Sequence, residues 1–111
     1  MKCLIVKEKW ADLILSGEKT LELRSRNTNV RGTIGIIKSG TGLICGTVDI
    51  LSSYEITDEE YIELKNKHKV PYSREQIKYK KIFAWELHNP VKYKDCIKYK
   101  HKKGCVIWIN I

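Results

Sequence analysis

The chain begins with a short continuous apolar run, and the apolar residues that follow recur with the spacing of a helix. The run Cys3–Val6 predicts a short buried strand. Between residues 7 and 16 the apolar positions from Trp10 onward lie three and four apart, which indicates a helix with one apolar face. Gly17 follows at the position where a left-handed residue commonly ends a helix. A strand and then an amphipathic helix are therefore predicted.

The next segment changes to strict alternation and carries three charged side chains. Leu21 and Leu23 alternate with Glu22 and Arg24, so a strand here would turn the leucines into a core and leave the charged pair on the opposite face. Lys19 lies just before this strand. An extended chain would place it roughly 10 Å from Glu22, so a turn or twist is needed to bring the three charges together. A surface ion pair, worth about 0–1 kcal/mol, is the alternative.

Turn and capping signals divide the rest of the chain. Ser39–Gly42 is typical of a hairpin, and it lacks the lysine and hydroxyl residue that end a phosphate-binding P-loop. Thr57 and Ser73 each begin a capping box, which predicts helices reaching about Lys67 and Lys80. The strands predicted by these patterns are residues 3–6, 20–26, 33–38, 43–50, 82–88 and 105–111.

Two expectations concern the C-terminal half. Asn89 and Pro90 are expected to end the fifth strand, and residues 91–103 then form a basic connection with little regular pattern. Residues 105–111 are apolar on both faces apart from Asn110, which predicts a central strand. Because helices do not alternate regularly with strands, the pattern favours an α+β fold with about six mixed, mostly antiparallel strands and two or three helices.

Size and composition exclude several classes of protein. At 111 residues the chain is expected to form one domain, residues 1–111. Its apolar runs are shorter than the ~20 residues of a transmembrane helix, and the N-terminal run is shorter than the about 7–15 apolar residues of a signal peptide. The four cysteines, Cys3, Cys45, Cys96 and Cys105, lack metal-ligand spacing. We therefore expect a cytoplasmic protein with reduced cysteines and with no disulfide, metal or cofactor.

The net charge of +8 is concentrated in one part of the chain. Residues 1–64 hold 8 Lys and Arg against 10 Asp and Glu, whereas residues 65–103 hold 13 against 3. The basic part repeats Lys-Tyr-Lys at 78–80, 92–94 and 98–100. Lysines that neutralise phosphates and rings that stack on bases are the combination that binds single-stranded nucleic acid. A polyanionic partner is favoured, with a solvated lysine-rich face as the alternative.

The signature of a known family is carried by the segment Trp10–Arg24, WADLILSGEKTLELR, and by the Arg-Gly pair at 31–32 before the next strand. These stretches resemble the ASCH domains, small members of the PUA-like superfamily. Residues 84–87 and 104–108 are similar to the last two strands of that family, so the resemblance spans nearly the whole chain. It implies a small β-barrel with helices packed at its rim.

The resemblance also implies a cleft lined by Lys19, Glu22 and Arg24, used to bind RNA or to hydrolyse RNA or N4-acetylcytidine. In the amidohydrolase members, the lysine of this motif assists a threonine three residues later, and a glutamate from the later helical region completes the site. That position here is Glu22, which removes the hydroxyl nucleophile. Glu22 could instead act as a general base on water, with Lys19 or Arg24 polarising the carbonyl.

His68 is a further candidate, because with Glu22 or Lys19 it could supply the acid and base of a metal-free ribonuclease. A capping or surface role at a helix end is its alternative. The candidate catalytic residues are Lys19, Glu22 and His68. The candidate ligand-binding residues are Lys7, Lys19, Glu22, Arg24, Ser39, Lys78, Tyr79, Lys80, Lys98, Tyr99 and Lys100. Two main functions stay open, an RNA- or nucleoside-binding monomer and a small metal-independent hydrolase, neither of them bound to a membrane. A third and weaker alternative is an interaction domain that binds no nucleotide.

Overall fold

The computed structural model describes residues 1–111 as a six-stranded sheet flanked by short helices. In chain order the elements are β1 (Lys2–Val6), α1 (Glu8–Leu15), β2 (Leu21–Arg24), β3 (Gly32–Lys38), β4 (Leu43–Ile56), α2 (Asp58–Glu63), α3 (Lys65–His68), β5 (Ile82–Lys98) and β6 (Trp108–Asn110). None of the helices is long and apolar enough to cross a membrane.

The strands lie in the order β2-β5-β4-β3-β1-β6, and every neighbouring pair is antiparallel except β1 with β3. The predicted α+β fold with six mixed, mostly antiparallel strands is therefore confirmed. Three strands separate β2 from β1, yet Arg24 of β2 donates a hydrogen bond from Nη2 to the Ile5 carbonyl of β1 at 3.2 Å. The sheet thus curls towards a barrel, although β2 and β6 leave it open.

The strand β5 continues well past the position where the sequence places its end. Asn89 and Pro90 lie inside it, so the prediction that they close the strand is wrong, and the expected irregular connection is largely strand. Between the pairs Thr47↔Val91 and Asp49↔His88 the register shifts, and Asn89 takes a positive φ of 53°. A bulge of this kind accommodates a proline, which cannot donate a ladder hydrogen bond.

The last strand is an edge strand, so the prediction of a central one is wrong. Only Trp108–Asn110 is extended, and it pairs with β1 alone. Val106 is 76% exposed and Ile107 is 40% exposed. Ile109 is the one buried residue of 105–111, so the apolar composition on both faces mainly reflects solvent-facing aliphatic residues and not burial between two strands.

Cys45 and Cys96 form a disulfide with their Cα atoms 4.3 Å apart, so the expectation of reduced cysteines is wrong for this pair. Cys45 lies where the register of β4 shifts against β5, and Cys96 is on the facing part of β5. The two are 51 residues apart in sequence, and only the pairing of these strands brings them together. Cys3 and Cys105 are free. The expected cytoplasmic location rested partly on reduced cysteines, and this pair does not support it.

Helix α1 packs its buried face on the sheet and ends as predicted. Ala11, Ile14 and Leu15 are buried in the main core. Gly17 has φ +86° directly after the C-cap residue, which turns the chain back towards β2. The backbone N–H of Lys19 then donates to the Leu13 carbonyl at 3.0 Å, so the position of Lys19 is fixed by the end of this helix.

The second helical region is shorter and more broken than predicted. Thr57 opens α2 with a complete capping box, as expected, but the helix ends at Glu63 and a separate turn, α3, follows. Lys69, with φ +61°, ends α3. Ser73 also forms its capping box, but it opens only the three-residue 3-10 segment Arg74–Gln76.

The close contact of α1 with β4 depends on Gly46. A Cβ atom there would lie 2.2 Å from the Val91 carbonyl oxygen and 2.7 Å from Leu15 Cδ2. We expect Gly46→Ala to lower the free energy of unfolding by more than about 3 kcal/mol, because a backbone atom of β5 cannot move away cheaply. Urea denaturation of both proteins measures the loss.

The matched control is Gly40→Ala, where a Cβ meets nothing within 4 Å but φ is +80°. It should cost about 1–2 kcal/mol through backbone conformation alone. A Gly46→Ala protein as stable as the control would show that α1 and β5 are not packed this tightly on β4.

Candidate binding cleft

A cleft of about 490 Å³ opens between β1, α1, β2 and the segment 70–79. Glu22 is the only carboxylate among its 15 lining residues. The cationic lining residues are Lys7, Lys19, Arg24 and Lys78. The cleft is therefore positively charged around a single acceptor group.

Lys19, Glu22 and Arg24 form one connected set of charges, which we call the charged triad. Lys19 Nζ lies 3.8 Å from Glu22 Oε1, and Arg24 Nε donates to Glu22 Oε2 at 2.8 Å. Backbone carbonyls hold the two ends, since Lys19 Nζ donates to the His68 carbonyl at 2.5 Å and Arg24 Nη2 donates to that of Ile5. The turn at Gly17 thus brings Lys19 close to Glu22, which a fully extended chain would not do.

The ammonium group of Lys19 is almost fully buried. The residue is 2% exposed, and Glu22 is 4% exposed. Burial lowers the pKa of Lys19 to about 8, because removal from water disfavours its charged form more than nearby Glu22 favours it. Removing one partner from such a buried pair leaves an uncompensated charge and is strongly destabilising. The part of the charged triad that a ligand can reach is mainly Arg24, whose side chain is 19% exposed, with the edge of Glu22.

Trp10 covers the buried end of the charged triad. Its ring centroid lies 4.9 Å from Lys19 Nζ, and Lys9 Nζ lies 4.8 Å from the same centroid. Trp10 belongs to the apolar face predicted for the first helix, and in the structure it is part of the cleft lining. Its indole can therefore bury the ammonium of Lys19 and still offer apolar surface to a ligand.

Both ring nitrogens of His68 form hydrogen bonds with backbone groups. Nδ1 accepts a hydrogen bond from the Val70 N–H at 2.9 Å, and Nε2 lies 2.7 Å from the Tyr61 carbonyl. This pairing corresponds to the neutral tautomer with its proton on Nε2. Burial lowers the pKa of His68, and its hydrogen bond to Tyr61 opposes that shift. The backbone carbonyl of His68, not its ring, reaches the charged triad.

The other predicted binding residues divide into three groups. Lys7, Ser39, Lys78 and Tyr79 line the cleft with the charged triad. Tyr99 lines a neighbouring cavity of about 420 Å³ that also includes Ser39. Three predicted residues line neither space: Lys80, Lys98 and Lys100.

Several residues that line the cleft were not predicted from the sequence. Ile5, Val70, Tyr72, Gln76 and Ile77 contribute to the cleft, and most of them belong to the loop after α3. Their contribution depends on how that loop folds over β2. The aromatic ring of Tyr72 next to Pro71 was the one available hint, since an exposed ring in a loop is often functional. No group of three or more His, Cys, Asp or Glu side chains is placed to hold a metal ion.

Comparison with known proteins identifies a family and several solved structures with a similar fold. A family model described as the ASCH domain matches residues 4–97. No curated protein matches the chain. Crystal structures of an ASCH protein from Zymomonas mobilis, two of point mutants and one named without a mutation, are each 17% identical and give TM-scores of 0.70, 0.67 and 0.66. The matches cover 87%, 87% and 82% of this chain and 74%, 72% and 68% of those chains, which shows a shared fold.

The buried ammonium makes a prediction about pH. Between the folded-state pKa of about 8 and the ordinary value of 10.5, unfolded protein binds more protons at Lys19 than folded protein does. The free energy of unfolding of the wild type, relative to Lys19→Met, should therefore rise by about 2–3 kcal/mol from pH 7.5 to pH 10.5. Urea denaturation across this range measures the difference.

Lys65→Met, at an exposed lysine of α3, controls for the general loss of one charge. A difference between wild type and Lys19→Met that stays constant with pH would mean that the ammonium is solvated in the folded protein.

Proposed function

The chain belongs to the ASCH domain family, and we propose that it binds RNA, with one base or modified nucleoside in the cleft and the phosphates on nearby lysines. The observation that carries the proposal is the charged triad, held under Trp10 at the bottom of a cationic cleft. A fixed acceptor beside fixed donors recognises a polar planar group, and an aromatic wall supplies a surface for stacking.

Glu22 and Arg24 are the groups that would read the base. Arg24 occupies Oε2 of Glu22, but a carboxylate has about four acceptor positions, so capacity is left for an exocyclic amine. Lys19 acts as a positioning residue, because its ammonium is directed to the His68 carbonyl and to Glu22. Its role is to keep Glu22 in place.

Lysines at the edge of the cleft would hold the phosphates. Lys7 and Lys78 line the cleft and are exposed, and Tyr79 stands beside Lys78. The remaining excess of positive charge lies in residues 65–103. Such a distribution attracts a polyanion at long range, and its contribution weakens as salt screens it.

A second candidate is a small metal-independent hydrolase that uses the same cleft. The pKa of about 8 at Lys19 favours it, because proton transfer is most efficient from a group that titrates near the working pH. Glu22 would serve as the base on water. His68 is poorly placed for a proton transfer, since both of its ring nitrogens already bind backbone groups.

Glu22→Gln separates these functions. It keeps the size and one oxygen of the side chain but removes its charge, so affinity for labelled single-stranded RNA should fall about tenfold or more. Fluorescence anisotropy measures the binding, and chromatography of the RNA and of N4-acetylcytidine after incubation measures turnover. Turnover that is lost in both Glu22→Gln and Lys19→Met would support the hydrolase, whereas binding without turnover supports the binding module.

Glu86→Gln is the matched control, because Glu86 accepts from Ser52 on the sheet outside the cleft. Thermal melts establish that each variant is folded. Equal RNA affinity of Glu22→Gln and the control would contradict the proposed role of the cleft.

If lysines at the edge of the cleft contact phosphates, the affinity for RNA should depend on the salt concentration. Lys7→Ala and Lys78→Ala should each weaken RNA binding for all sequences and reduce the slope of log affinity against log salt by about 0.7. Titrations at a series of salt concentrations give the slope. Lys2→Ala removes an exposed lysine of β1 outside the cleft and should leave the slope unchanged. If Lys7→Ala and Lys78→Ala show the same slope as the control Lys2→Ala, then Lys7 and Lys78 do not contact phosphate.

A further inference from the structure

A second cavity adjoins the cleft. This cavity, of about 420 Å³, is formed by the β3–β4 hairpin and the segment that follows β5. It shares Ile5, Ser39 and Val106 with the cleft. The two spaces therefore adjoin, and we call them together the trough, with Ser39 on the wall they share and Tyr99 in the far part.

Tyr99 is held in a fixed position in the second cavity. Its backbone N–H donates to the Gly42 carbonyl at 3.2 Å, and its hydroxyl lies 3.0 Å from His101 Nδ1. The ring also packs against a small hydrophobic cluster, separate from the main core, that contains Cys3 and Ile44. An aromatic ring that is already ordered loses little conformational freedom when a flat ligand stacks on it.

The junction between the two spaces suits a phosphate. Ser39 offers an exposed hydroxyl there. Gly40 follows with φ +80°, and because even an added Cβ atom would meet nothing within 4 Å, the hairpin backbone is open to approach. No carboxylate lines the second cavity. Lys98 and Lys100 flank Tyr99 in the sequence, but neither lines the second cavity.

We propose that the trough binds at least two consecutive nucleotides of single-stranded RNA, one base in the cleft and its neighbour stacked on Tyr99, with the linking phosphate at Ser39. This inference rests on the proposed function and extends it from a single-base site to a site for a chain. It assigns a ligand role to Tyr99, a residue that the charged triad does not include.

The test uses short homopolymeric RNAs of one to four nucleotides, prepared for each of the four bases. For the preferred base, affinity measured by calorimetry should rise on the order of tenfold from one nucleotide to two, since a stacked base and an added phosphate contribute an effect of that size. Tyr99→Leu keeps an apolar side chain in the core contact but removes the ring. It should lose most of this rise.

Tyr99→Phe is the matched control, because it keeps the ring and removes only the hydroxyl that faces His101, so it should retain the rise. Tyr54→Leu, at an exposed tyrosine of β4 outside the trough, should also retain it. A wild-type affinity that does not increase from one nucleotide to two, or an increase that survives in Tyr99→Leu, overturns this inference and leaves the proposed function standing. Absence of binding at every length overturns both.

Discussion

The burial of one ammonium group constrains the rest of this structure. Lys19 is a charged residue in a nearly waterless position, and such a group is tolerated only when its charge and hydrogen bonds are compensated. Glu22 supplies the opposite charge, the His68 carbonyl supplies an acceptor, and the ring of Trp10 covers the remaining side. The cleft is the place where these compensations meet.

Each compensation comes from a different element, so the site depends on how the elements pack. Gly17 turns the chain at the end of α1 and places Lys19, while the ending of α3 directs the His68 carbonyl inwards. Arg24 then connects Glu22 to the Ile5 carbonyl across the open side of the curled sheet. The interaction that fixes the acceptor therefore also holds two separated strands together, and this gives a ligand a preorganised surface.

The local part of this arrangement could be predicted from the sequence, and the long-range part could not. Alternation around Glu22 and the glycine after the helix predicted β2 and its turn correctly, because both are read from neighbouring residues. The continuation of β5 through Pro90 depends on a bulge opposite β4, and the Cys45–Cys96 bond depends on the same pairing. The engagement of His68 by backbone groups likewise arises only when the loop after α3 folds over β2.

The most direct test of the account is a titration of ¹⁵N-labelled protein with short single-stranded RNA, followed through the indole N–H signals of its three tryptophans. We expect the Trp10 signal to shift in proportion to binding, because its ring forms a wall of the cleft. The signal of Trp108, which stacks on Trp85 outside the cleft, should stay in place. RNA binding that shifts the Trp108 signal and leaves the Trp10 signal unchanged would contradict binding in the cleft.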